Sequence, residues 1–90
     1  MSNIKVTEER IEHLMDTADY EIITCFDKCT IVSAQFENGF ILTESSACVD
    51  PANYDRKLGV KICTDKIREK LWELEGYDLQ KKLYKLTKEA

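Results

Sequence analysis

The sequence predicts an α+β domain: a short N-terminal helix, a three-stranded antiparallel sheet, and a long C-terminal helix bent or broken near Gly76. Three observations predict it. Between residues 20 and 45, the runs YEIITCF, TIVSAQF and FILTES are rich in β-branched and aromatic side chains and are separated by turn-forming pairs. From Tyr54 onward, apolar residues recur at steps of three or four. The chain has 90 residues, 43% hydrophobic and 33% charged, which suits one domain (1–90) with a single layer of helix on sheet.

Each element has a local reason. Thr7 is a good N-cap, and Glu8 and Glu9 put negative charge at the positive end of the first helix. Ile11, Leu14, Met15 and Ala18 then recur at helical spacing, giving a helix over roughly 7–18. Strand one follows at 20–26, with a tight turn at Asp27-Lys28. Strand two spans 30–36, where Val32, Ala34 and Phe36 alternate with Ser33 and Gln35. Glu37-Asn38-Gly39 is the strongest turn signal, because Asn and Gly tolerate positive φ. A two-residue turn would pair Phe36 with Ile41. A three-residue turn with a glycine bulge pairs Phe36 with Phe40 and Ala34 with Leu42. The second is preferred because it collects Val32, Ala34, Phe36, Phe40 and Leu42 on one face.

The last helix has two candidate starts, Asp50-Pro51 and Asn53. It runs from Tyr54 through Glu75, and YDLQKKLYKLTK resumes after Gly76 to about residue 88. Gly76 either ends one helix or bends a longer one. Val60, Cys63, Ile67, Leu71 and Leu74 form one stripe, while Leu58, Ile62 and Trp72 lie nearly opposite. Leu79, Leu83 and Leu86 continue the second stripe if the helix is straight. One buried stripe is enough to cover a small sheet. The surplus points to a homo-oligomer through the C-terminal helix, or to a tail folded back on its own core at Gly76.

The net charge is −4, which argues against binding nucleic-acid polymers. It is uneven: residues 1–50 carry three Lys/Arg against ten Asp/Glu, and residues 51–90 carry ten against seven. Such asymmetry can mark a basic face for an anion, or simply a solvated Lys/Glu-rich helix. No apolar run is long enough to span a membrane, and MSNIKVTEER lacks the apolar core of a signal peptide, so a cytoplasmic location is expected. Of the four cysteines only Cys25 and Cys29 are close, as CFDKC. Structural zinc sites pair their ligands twice, so Cys25, Cys29, Cys48 and Cys63 read as free thiols, and no metal or cofactor is expected. The single His13 has no partner at metal spacing.

Catalytic patterns are missing. There is no Ser-His or Cys-His pairing to argue, no P-loop, no dinucleotide glycine fingerprint and no HExxH pair. The expectation is a binding protein, not an enzyme. Its best candidate site is the start of the last helix, where free amides and the dipole favour anions. Arg56 can fork two hydrogen bonds to a phosphate or carboxylate, and Lys57 and Lys61 add charge. Asn53 could read a base or ribose edge, and Tyr54 could stack on a base; Phe40 is counted with them among the ligand-binding residues. The plainer reading is that Asn53 caps, Tyr54 packs and Arg56 pairs with a neighbour.

The segments ENGF, SACVDPANYD and KIREKLWELEGYDLQKKL together resemble a family of small proteins from tailed bacteriophages and prophages whose function is not established. The resemblance covers roughly residues 5–84; Ser45 and Ser46 before Ala47-Cys48 are a small variation on its pattern. In size, and in having a sheet followed by long helices, the chain is also similar to phage anti-defence proteins that block Thoeris immunity. Those proteins act as sponges, binding cyclic ADP-ribose-type signals, and some also bind cyclic oligonucleotides, without cleaving them. That resemblance implies a site between subunits, with Arg56 and its neighbours on phosphate. The resulting expectation is a phage anti-defence protein that sequesters a cyclic nucleotide signal in the host cytoplasm. The alternative is a small inhibitor that docks on a host enzyme or regulator.

Overall fold

A computed structural model describes residues 4–89, and the side chains up to residue 88. The order is α1 (Glu8–Thr17), β1 (Asp19–Cys25), β2 (Cys29–Gln35), β3 (Ile41–Ala47), a 3₁₀ turn (Pro51–Asn53) and α2 (Arg56–Glu89). The strands form one antiparallel sheet in sequence order. Both helices pack on the same face of it.

α1 begins where its cap places it: the Thr7 hydroxyl accepts the Arg10 amide at 3.2 Å. β2 is the central strand, and its alternation is carried through completely, with Thr30, Val32 and Ala34 buried between more open neighbours. The β2–β3 register pairs Ala34 with Leu42, and the Phe36 amide donates to the Phe40 carbonyl at 2.9 Å. The three-residue turn is therefore the one formed. Gly39 takes φ 92°, and the Asn38 side chain accepts the Phe40 amide at 3.0 Å. At the other hairpin, Phe26 and Asp27 both adopt positive φ, 52° and 55°, and the Lys28 amide donates to the Cys25 carbonyl.

The core is small and built from three elements. Ile11 and Met15 come from α1, Val32, Ala34 and Phe36 from β2 and its end, and Cys63, Ile67 and Leu71 from α2. Each large aliphatic side chain buried here contributes about 1.5–3 kcal/mol. The expected inner stripe of α2 is the one used, with Val60 packed at its edge and Leu74 emerging toward solvent. Leu58, Ile62 and Trp72 face away from the sheet and stay exposed.

Two expectations need correction. The last helix starts at Arg56, not Tyr54, and Asn53 does not cap it. Asp50 caps only the 3₁₀ turn, accepting the Ala52 amide at 2.9 Å. Asp55 caps α2 itself: its carboxylate accepts the Leu58 amide at 3.3 Å, and its carbonyl accepts the Gly59 amide at 2.9 Å. Three cap-type residues within six positions compete, and Pro51 settles the first turn as 3₁₀. The second correction is at Gly76, where α2 is continuous. A lone glycine costs about 1 kcal/mol against alanine, which the strong helix formers on either side outweigh. No break occurs, and the tail does not fold back.

Candidate functional site

The start of α2 gathers some of the expected residues and ties up others. Asn53 is exposed at the end of the 3₁₀ turn. Arg56 and Lys57 are exposed on the first turn of α2, and neither has an ion-pair partner among the described residues. Lys61, one turn on, pairs with Asp65 at 2.8 Å. That lysine holds the Asp65 carboxyl below its usual range, mainly through the hydrogen bond.

Tyr54 is anchored rather than free. Its hydroxyl lies 2.6 Å from the Thr30 hydroxyl and 3.1 Å from that of Thr24. Thr30 is fully buried, so this bond satisfies a polar group that would otherwise be costly. The tyrosine clamps the loop before α2 to β1 and β2, with its ring half-buried. At the amide end of α2, the Asp55 carboxylate takes the Leu58 amide. What the start of α2 offers to solvent is the Arg56 and Lys57 side chains, side by side.

Phe40 lies elsewhere. It sits at the β2–β3 turn, while α2 starts beyond the opposite end of β3, six ladder positions or roughly 20 Å away. There it helps line a groove of about 590 Å³ between α1, the hairpin tip and the middle of α2. The apolar lining is Leu14, Phe36, Phe40, Leu71 and Leu74. Arg10, Glu37, Glu75, Asp78, Asn38 and Lys81 line it too, and Arg10 is held by Glu75 at 2.9 Å. A groove of this size falls within the usual range for ligand pockets. Sequence reasoning grouped Phe40 with the start of α2 and did not bring it together with Arg10, Leu14, Asn38 and Lys81, since only tertiary packing sets α1 beside α2.

That packing is fixed by charge as well as by the core. Arg68 of α2 makes two hydrogen bonds to the Glu12 carboxylate of α1, at 2.9 and 3.2 Å, and a third to Asp65 at 3.2 Å. The hydrogen bonds from Arg68 lower the Glu12 carboxyl pKa. His13 is exposed, with Nε2 3.4 Å from Glu37. All four cysteines are free thiols; Cys63 is buried, and burial pushes its thiol pKa up. Among the described residues, no three His, Cys, Asp or Glu side chains converge as a metal site. No helix among them is long and apolar enough to cross a membrane.

No curated protein and no solved structure matches the chain. The profile of one family does, from residue 6 to residue 83, leaving out only short stretches at either end. The matched span contains the hairpin, both caps of the β3–α2 connection, the start of α2 and every residue that lines the groove. On that match, the chain belongs to the phage protein (N4 Gp49/phage Sf6 gene 66) family.

Proposed function

We propose that this phage-family protein is a non-enzymatic counter-defence protein of the host cytoplasm. It binds a cyclic nucleotide immune signal, of the cyclic ADP-ribose type or a cyclic oligonucleotide, and holds it without cleaving it. The observation that carries this reading is the pair Arg56 and Lys57, exposed together beside Asn53 and without ion-pair partners among the described residues. A guanidinium and an ammonium side by side suit a phosphate, and the guanidinium can bind it through two parallel hydrogen bonds. With the Tyr54 hydroxyl engaged, base stacking rests on the open part of its ring or on a second subunit. The test is to incubate the protein with cyclic ADP-ribose isomers and cyclic di- and trinucleotides, remove free ligand, and denature. Intact ligand should be released, and Arg56→Ala with Lys57→Ala should retain at least tenfold less. If none of these nucleotides raises the melting temperature, the reading is wrong, and if the ligand comes off converted, the protein is a hydrolase.

A second reading has its own observation. The sheet face away from the helices is uncovered, and Phe26 and Val49 near one end of it are 90% and 94% exposed. Ile23 and Ile41 on that face are about half exposed. Apolar surface of this kind fits a protein that docks on a host enzyme or regulator. A stoichiometric partner recovered from host lysate, kept by Arg56→Ala and lost by Phe26→Asp, would favour it over the sponge.

A further inference from the structure

We propose that Cys25 and Cys29 form a modification site: a dithiol that a small-molecule disulfide of the glutathione type oxidises to a cross-strand bond, and that excess thiol restores. The site owes nothing to the nucleotide reading. The two residues are the last rung of the β1–β2 ladder, directly opposite one another. Opposite residues in a ladder point to the same face, and by the alternation of β2 this is the face away from the helices. Both thiols are free and partly open.

The rung has the spacing a disulfide needs. The Cys48 amide donates to the Lys28 carbonyl and the Phe36 amide to the Phe40 carbonyl, both at 2.9 Å. Even-numbered residues of β2 therefore turn their backbone groups to β3, and odd-numbered ones turn theirs to β1. That makes Cys25–Cys29 a hydrogen-bonded pair, with Cα atoms about 5.5 Å apart. Disulfides span roughly 4.4–6.8 Å between Cα atoms, most often about 5.5–6 Å. In the reduced form the Cys29 thiol leans toward the Thr30 carbonyl, 4.0 Å away, so a rotation about χ1 is what brings it to Cys25. The next rung, Thr24–Thr30, is pinned by the Tyr54 hydroxyl, which keeps the two cysteines opposed. The other thiols are worse placed. Cys63 is buried in the core, and Cys48 lies past the end of β3, on the helix side by alternation, donating to the Asp50 carbonyl at 3.2 Å.

The exchange balances in two steps. One cysteine thiolate attacks a sulfur of the small disulfide, forming a mixed disulfide and expelling one thiolate, which takes up a proton. The second cysteine thiolate then attacks the protein sulfur of that mixed disulfide, closing the Cys25–Cys29 bond and expelling the second thiolate. The protein loses two electrons and two protons, and the small disulfide gains them as it becomes two thiols. Only Phe26, Asp27 and Lys28 lie between the cysteines, so the bond closes little chain entropy. Its effect is local: it ties β1, an edge strand whose residues are all exposed except Cys25, to the central strand.

The test is to equilibrate the native full chain with graded ratios of oxidised to reduced glutathione, quench in acid, alkylate, and digest with trypsin for mass spectrometry. Two thiols should disappear together, with the peptides carrying Cys25 and Cys29 joined, since trypsin cuts between them after Lys28. The joined pair should persist in Cys48→Ser, which tells it from a bond to Cys48 on the same peptide. Cys25→Ser and Cys29→Ser should each stop at a glutathione mixed disulfide. The effective concentration of the two thiols should be at least about tenfold higher in the native chain than in urea, so the oxidised chain should melt higher than the reduced one. Mixed disulfides alone, a bond to Cys48 or between chains, or a native chain that oxidises no more readily than the unfolded one would each overturn the assignment.

Discussion

Two glycines in α2 do opposite things. A Cβ placed on Gly59 would collide with the Thr30 hydroxyl and lie 2.9 Å from its Cβ, in the most tightly closed part of the core. Thr30 cannot retreat, because Tyr54 holds its hydroxyl. Gly59→Ala should therefore destabilise by about 1–3 kcal/mol, the usual range for overpacking. A Cβ on Gly76 meets nothing within 4 Å. Gly76→Ala should stabilise by up to about 1 kcal/mol through helix propensity alone. Urea denaturation of the two variants checks both signs together. The cysteines separate in the same way: Cys63 is buried with its thiol pKa raised, while Cys25, Cys29 and Cys48 are partly open. Titration of the native protein with a disulfide reagent should find Cys63 reacting last, and at the rate of unfolding.

At the scale of elements, the joint between α1 and α2 is the part that charge supports. Arg68→Ala removes three hydrogen bonds to Glu12 and Asp65, but the arginine is about a third exposed. Solvent screening limits the expected loss to about 0.5–1 kcal/mol, measurable as a shift in denaturation midpoint at constant slope. The elements themselves were largely legible in the sequence. Thr7 capped α1 as its position implied, and grouping apolar side chains on one face selected the Ala34–Leu42 register. The start of α2 was misread because Asp50, Asn53 and Asp55 are all good caps, and only the 3₁₀ turn at Pro51 ranks them. The candidate site was half legible. Arg56 and Lys57 are exposed as polarity implied, but Phe40 was placed with them although the length of the sheet intervenes. The groove it lines draws on α1, the hairpin and α2, and no local pattern records that these three meet.

For the molecule as a whole, acid should be destabilising in a definite window. Glu12, Asp65 and Asp78 each have a carboxyl pKa lowered, first by hydrogen bonds from Arg68, Lys61 and Lys82 respectively. A group whose folded pKa lies below its unfolded value adds stability above the unfolded value and loses it as pH falls through the folded one. The melting temperature should hold from neutrality to about pH 5 and then fall below about pH 4, where ordinary carboxylates begin to protonate. Glu12→Gln should make that fall shallower, which thermal scans across the range would show.

Gly59 also gives the molecule a fulcrum. There α2 comes so close to the sheet that no side chain fits between them, while its far end, near Lys88, lies about 44 Å along the axis. A tilt of roughly 5° at that pivot would swing the tip sideways by about 4 Å, a displacement set by the same helix rise. Arg56 and Lys57 lie on the short side of that pivot, so a tilt there would be small beside the swing of the tip. The long side gains travel and loses force, as in any lever pivoted near one end.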